Sequence, residues 1–473
     1  MSNVSIKKAA LINFVSKYSN IIIQLLINSI LARLLSPEEY GVVAVITVFI
    51  SFFTIIADMG IGPAIIQDKT LKKRELSDIF IFTFITGIII SIGFIIFSIP
   101  ISIFYNNKIY INLGSILSIS IFFNVLNIVP NAMLLKEKQF RLIGIRTIVI
   151  SIVSGFITII LALRGLSYYS LVINSVLIAL LTFIVNIFYV KLKIYFKFNI
   201  NSIKKIREFS IYQFAFNFIN YFSRNLDNLT IGKVLGQTQL AFYDKAYTLM
   251  LYPVQNLTNV ITPVLHPILS EYQNEKEIIY EKYFKIVKLL ALLGVFVGIF
   301  CFFSAKEIIY IMFGSQWGEA VPAFKILSIS IAFQIALSST GAIFQAANKT
   351  KELFLAGALG ATSNITGIVI GLCLGKIEYV AIGVAIAYII NFITGFYLLM
   401  YKVFNKSLIN FIWQLKSCFI IMLLLIASNI IFPIYNDNII IALLCKLALC
   451  IVTYIIGLIA TRELSFFKIL IRI

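Results

Sequence analysis

The sequence predicts an all-α integral membrane protein of about fourteen transmembrane helices, arranged as two pseudo-symmetric six-helix lobes followed by a C-terminal helix pair. Three observations predict it. Of 473 residues, 60% are hydrophobic and only 12% are charged, whereas a soluble domain is about a quarter charged and about half apolar. Crossing a bilayer takes about 20 mostly apolar residues, and runs of that length follow one another along the whole chain. Basic residues, finally, divide unequally between alternate connections. The runs are continuous instead of alternating in ~10-residue units, which excludes a closed β-barrel.

In chain order the segments are 9–32, 41–64, 79–101, 110–134, 143–164, 167–190, 209–232, 247–270, 284–304, 325–347, 352–375, 379–401, 415–433 and 438–460. The seventh is the most polar. The first follows a basic start, MSNVSIKK, but Asn13, Lys17 and Asn20 interrupt it and no small-residue cleavage site follows, so it reads as a retained span. The N-terminus and every second connection carry 27 Lys/Arg, the opposite side 8, and four (Lys17, Arg146, Arg224 and Lys446) lie within spans. That split places both termini in the cytoplasm.

The connections leave no room for a soluble catalytic or nucleotide-binding domain. Net charge is +19, with the basic residues dispersed among apolar runs. This speaks against nucleic acid and for an anionic leaflet and an anionic cargo. Cys301, Cys373, Cys418, Cys445 and Cys450 fall in apolar runs without ligand spacing and read as buried thiols, with no metal site. A single histidine, His266, argues against histidine-based catalysis.

A shift of 200 residues lays the first span on the seventh. Asn13, Lys17, Asn20, Gln24 and Asn28 then sit over Gln213, Asn217, Asn220, Arg224 and Asn228. Steps of three and four keep each set on one helical face. The division that follows is an N-terminal lobe, 1–200, a C-terminal lobe, 201–404, and an extra helix pair with a basic tail, 405–473. Polar side chains can simply glue membrane helices together. Two matching stripes, each with a cation, suit a hydrated cavity between duplicated halves better.

Ions within the membrane are costly and mark function by default. Arg224 lies deep in its span with Asp227 one turn on, either as a self-neutralising pair or as a cation facing the cavity. Lys17 is too deep to snorkel with ease. Asp58, in DMGIGPAIIQD, would pair with Lys17 or carry a coupling proton or sodium ion; no other cofactor is indicated. Arg146 lies a few residues inside and either snorkels or joins Lys136, Lys138 and Arg141 at the inner mouth. Lys446 has no evident partner. Gly367, Gly371 and Gly375 predict close helix approach, Pro130, Pro253, Pro263 and Pro267 predict bends, and Trp317 reads as an outer interfacial anchor.

At LARLLSPEEYGVVA, DMGIGPAIIQD and RNLDNLTIGKVLG, followed by YDKAYTLMLYPVQNLTNVITPVLHPILSEYQ, the chain resembles the polysaccharide transporters of the multidrug/oligosaccharidyl-lipid/polysaccharide exporter superfamily. The branch is that of colanic-acid and teichuronic-acid exporters and O-antigen flippases, and the resemblance spans about 5–400. It implies a fourteen-helix flippase for an oligosaccharide repeat unit on undecaprenyl pyrophosphate in the inner membrane of a bacterium. Membrane lipid and a polysaccharide polymerase are the implied partners, and the transport unit is a monomer. His266 departs from the usual apolar residue. In this reading Lys17, Arg146 and Arg224 attract pyrophosphate, while Asn20, Gln24, Asn28, Asn217, Asn220 and Asn228 meet sugar hydroxyls. The rival on the same architecture is an ion-coupled multidrug or metabolite antiporter. That class uses acidic cavity residues, and this chain offers more basic ones. A glycosyl-transferring polymerase or ligase would need a large external loop.

Overall fold

The computed structural model describes residues 6–68, 70–195, 198–270, 276–347 and 349–464, without the side chains of 6–14, of 259–270, of 345, 346 and 350, and of several positions in 208–224. The chain forms two compact units, Met1–Ala241 and Phe242–Ile473. This boundary follows contacts, whereas the repeat in the sequence breaks near 200.

The first unit contains α1 (Ile6–Leu34), α2 (Pro37–Asp58), α3 (Ile61–Gln67), α4 (Lys73–Tyr105), α5 (Ile109–Leu126), α6 (Ile128–Lys136), α7 (Phe140–Leu163), α8 (Tyr168–Val190) and α9 (Asn201–Val234). The start of α2 explains the SPEE motif. Pro37 fixes the first helical turn, Ser36 Oγ accepts the Glu39 N–H at 3.3 Å, and the Glu39 carboxylate takes the Ser36 N–H at 2.6 Å. The Ser167 hydroxyl donates to the same carboxylate, tying α8's start to α2. The connection into α9 is pinned on α4. Ser77 Oγ accepts the Tyr195 N–H at 2.8 Å, and buried Asp78 accepts the Asn199 N–H and the Ser202 hydroxyl at 3.3 and 2.6 Å. Further along α9, the Tyr105 hydroxyl donates to Leu229 O at 3.0 Å and the Tyr221 hydroxyl to Val48 O.

After α10 (Gln237–Ser270), the second unit holds α11 (Lys276–Phe303), α12 (Ala305–Phe313), α13 (Ala320–Ser328), α14 (Ile331–Leu337), α15 (Thr340–Ala346) and α16 (Thr350–Cys373). Then come α17 (Ile377–Leu398), which runs into a π turn, α18 (Leu408–Gln414), α19 (Lys416–Ile431) and α20 (Ile439–Ala460). The glycine spacing is partly confirmed. A Cβ on Gly367 would stand 2.5 Å from the Gly383 carbonyl oxygen, and one on Gly371 2.5 Å from Val380 N, so α16 and α17 meet backbone to backbone. Gly375 differs: it lies beyond the helix at φ +79°, with open space around it, and serves the turn.

Every predicted segment coincides with a helix or a bent helix pair. Among the described residues ten helices are long and apolar enough to cross a membrane. Two bent helix pairs, α13 with α14 at 47° and α18 with α19 at 52°, are together long and apolar enough as well. The remaining two segments are α9 and α10, of 34 residues each, whose polar residues keep them out of that apolar set. The architecture is consistent with fourteen crossings in an all-α multi-pass membrane protein. Pro130 accompanies a break at Asn127 between α5 and α6, whereas α10 continues through Pro253.

Three expectations are corrected here. Trp317 is fully buried against Phe242 and Phe313 and is no interfacial anchor, because its turn folds inward. Cys373 and Cys445 are exposed on apolar helix faces, and only Cys301, Cys418 and Cys450 are buried. Lys446 has a partner after all. Its Nζ lies 2.7 Å from Glu307 Oε1 and 3.0 Å from Phe303 O, docking α20 on α12. At the other end of α20, Glu463 receives Lys288 Nζ at 2.5 Å and the Ser417 hydroxyl at 2.6 Å. Two buried ion pairs thus fasten the C-terminal helices to α11 and α12.

Candidate functional site

In the first unit α1 lies along α7. Small residues on α7 permit it: a Cβ on Gly144 would collide with Ser16, and one on Gly155 with Ile27. Between these points the Ser151 hydroxyl donates to Asn20 Oδ1 at 2.8 Å. The three contacts ascend together in both sequences, so the helices run parallel. Lys17 and Arg146, bracketed by the first two contacts, therefore share a depth. At 1.5 Å per residue Arg146 is about 9 Å into α7.

Along the stripe, Lys17 and Gln24 are exposed while Asn20 and Asn28 are half-buried. Lys17 forms no ion pair among the described residues. Asp58 is not its partner, because that carboxylate turns back to cap its own chain end. It accepts the backbone N–H groups of Gly60, at 3.2 Å, and Gly62, where Met59 and Gly60 adopt left-handed conformations.

Arg146 does not snorkel. Its Nη1 donates to Asn186 Oδ1 on α8 and, at 3.4 Å, to Asn131 Oδ1 on α6. Fully buried Asn186 in turn donates through Nδ2 to Asn127 Oδ1 at 2.6 Å. The guanidinium is half-buried, its Nε has no hydrogen-bond partner, and among the described residues no carboxylate pairs with it. Neutral amides satisfy some of its donors and leave its charge intact. Such a cation in a poorly hydrated site is suited to an anion that accepts two parallel hydrogen bonds.

The matching stripe on α9 is described only at its end. The side chains of Gln213, Asn217, Asn220 and Arg224 lie outside the described residues. Asp227 is buried and accepts the Asn228 N–H at 2.8 Å, and buried Asn228 Oδ1 has no partner among the described residues. The structure thus joins Asn20, Lys17 and Arg146 on one helix pair, and it separates Asp58 from Lys17. Sequence reasoning missed Asn127, Asn131, Asn186 and Ser151. Single asparagines inside apolar runs were the available signal. Among the described residues there is no cluster of metal-ligating groups.

Comparison with known proteins shows the family and the fold. The family described as "Polysaccharide biosynthesis protein" matches residues 30–322, more than half of the chain, and the chain belongs to it. An uncharacterised membrane protein of the cps region of Klebsiella pneumoniae is 26% identical over 434 residues, covering 87% of this chain and 85% of its own. The teichuronic acid biosynthesis protein TuaB of Bacillus subtilis is 26% identical, with 74% and 73% covered. The lipopolysaccharide biosynthesis protein WzxC of Escherichia coli is 24% identical, with 82% and 79% covered. In fold, the chain is similar to the lipid II flippase MurJ in an inward closed conformation (TM-score 0.74, 17% identity, 96% and 100% covered). An inward-facing multidrug resistance MATE transporter gives 0.64 at 17% identity, with 82% and 95% covered. Family and fold are those of transporters, not enzymes.

Proposed function

We propose that this member of the polysaccharide biosynthesis family is a flippase that carries an oligosaccharide repeat unit on undecaprenyl pyrophosphate across the bacterial cytoplasmic membrane by alternating access. The observation that carries the reading is Arg146, a half-buried guanidinium held by neutral amides with no carboxylate paired to it among the described residues. Pyrophosphate is a compact polyanion able to use those free donors. Lys17, at the same depth on α1, adds a second cation, and the amides of Asn20, Gln24 and Asn28 continue the polar stripe along the same helix. Arg224, Asn217, Asn220 and Asn228 would supply the equivalent groups from the second half of the repeat. Asp58 and Asp227 are the candidates for coupling to a proton or sodium ion. The similarity to TuaB and WzxC, proteins of teichuronic acid and lipopolysaccharide biosynthesis, supports a surface polymer as the destination. Membrane lipid and polymer-assembly proteins would be its partners, and the transport unit would be a monomer with both termini in the cytoplasm.

The test is reconstitution in vesicles with a fluorescent short-chain polyprenyl-pyrophosphoryl sugar whose appearance in the opposite leaflet is timed. Wild-type protein should accelerate that appearance, and the Arg146→Ala variant should lose it. Acceleration of a cationic drug's movement in place of the lipid-linked sugar would replace this reading with the antiporter one.

A further inference from the structure

A cavity of about 650 Å³ opens on the second unit between α12, α13 and the turn preceding α20. Its charged lining is Lys306, Lys325, Lys446, Glu307 and Asp437. Lys306, Glu307, Lys325 and Asp437 belong to connections or span ends that the basic-residue count puts outside the cell, and Lys446 reaches the cavity from within its span. Lys446 and Glu307 neutralise each other at 2.7 Å. That leaves exposed Lys306 and Lys325 against a single exposed carboxylate, Asp437.

Neither lysine forms an ion pair among the described residues. Lys325 Nζ stands 4.7 Å from the Phe302 ring centre and Lys306 Nζ 5.6 Å from that of Tyr310, contacts that steady a cation without cancelling its charge. Glu307 is 8% exposed and its Oε1 holds Lys446, so this carboxylate is not presented to a ligand in the cavity. The cavity therefore offers two free cations beside one exposed carboxylate, that of Asp437.

We propose that this cavity is a recognition site for an acidic glycan unit. A carboxylate or phosphate substituent would sit between Lys306 and Lys325, and a neighbouring sugar hydroxyl would donate to the exposed Asp437 carboxylate. A phosphodiester alone brings the anion but no donor, whereas a uronic acid or sugar phosphate brings both. The volume suits a short oligosaccharide, within the range of ordinary ligand clefts. The proposal rests on the flippase reading for its cargo and narrows that cargo to glycans bearing negative charge.

The experiment uses the full chain in phosphatidylcholine nanodiscs. Its probes are a soluble tetrasaccharide of alternating glucuronate and N-acetylglucosamine and neutral maltotetraose, followed by calorimetry. The acidic probe should bind at least about tenfold more tightly than the neutral one, and Lys306→Gln with Lys325→Gln should erase that margin. Lys306→Arg with Lys325→Arg should retain it, which separates lost charge from lost folding. Equal affinity for both probes, or an unchanged margin in the glutamine double variant, overturns the proposal. Loss of acidic-probe binding on adding phosphatidylglycerol to the nanodisc overturns it too, in favour of a lipid headgroup site. Binding needs no translocation, so a flippase that moves its lipid-linked sugar yet ignores the acidic probe would refute this site alone.

Discussion

The two units treat their intramembrane cations in opposite ways. In the second, Lys446 meets Glu307 and Lys288 meets Glu463, each carboxylate being largely buried. In the first, among the described residues, Arg146 meets only asparagine oxygens. A buried pair cancels its own field and fastens helices. A cation among amides keeps its field for something else. Depth in a span, which makes all of them look alike in the sequence, does not separate these two uses; the identity of the partner does.

Breaking the contrast at Arg146 should have the largest effect. Arg146→Ala is expected to lower lipid-linked sugar translocation by about two orders of magnitude or more, since a charge-assisted bidentate contact is lost from the transported state. The quantity of folded protein in the membrane should change little, because Asn186 keeps its bond with Asn127. Arg146→Lys should retain part of the rate, as a point charge still attracts phosphate. Full activity of Arg146→Ala would make the amide cluster mere helix packing.

At Lys446 the expectation is reversed. Lys446→Ala or Glu307→Ala alone should destabilise the protein by about 3–5 kcal/mol by stranding a buried charge, read as a fall in thermal midpoint in detergent. Lys446→Met combined with Glu307→Leu should recover stability and leave translocation intact. A double variant that is stable but inactive would move this pair into the transport machinery and erase the contrast between the units. Next in size is Gly367→Ala. Its new methyl would press on the Gly383 carbonyl at 2.5 Å, pushing α16 off α17 at a cost of about 1–3 kcal/mol.

Most of the fold was legible because length and apolarity suffice for a membrane helix, and every predicted segment is matched by a helix. The bends were less so. Neither the 47° break before Ile331 nor the 52° break at Leu415 is marked by proline. The site was legible only where the period of one helix could show it. The α1 stripe is such a case; the cluster around Arg146 draws Asn127 from the cap of α6, Asn131 from α6 itself and Asn186 from α8, 59 residues beyond Asn127, and no single helical period encodes that meeting. Asp58 misled for a related reason. A carboxylate near a span's end looks like an ion partner, but the glycines after it offer backbone N–H groups at shorter range. Lys446 resisted assignment because its partner Glu307 is 139 residues away.

The smallest expected effect decides what the α1 stripe does. Ser151 donates to Asn20 at 2.8 Å, a contact that either glues α1 to α7 or orients an amide toward cargo. A single interhelical hydrogen bond in a membrane is worth about 0.6 kcal/mol on average. Ser151→Ala should therefore lower stability by about that amount, and if glue were the whole role, Asn20→Ala would match it and leave translocation unchanged. In the cavity reading Asn20→Ala costs the same small stability but slows translocation several-fold more than Ser151→Ala, because the lost amide also faced the sugar. Equal rates for the two variants would reduce Asn20 to a packing residue and leave Arg146 and Lys17 as the polar site of the first unit.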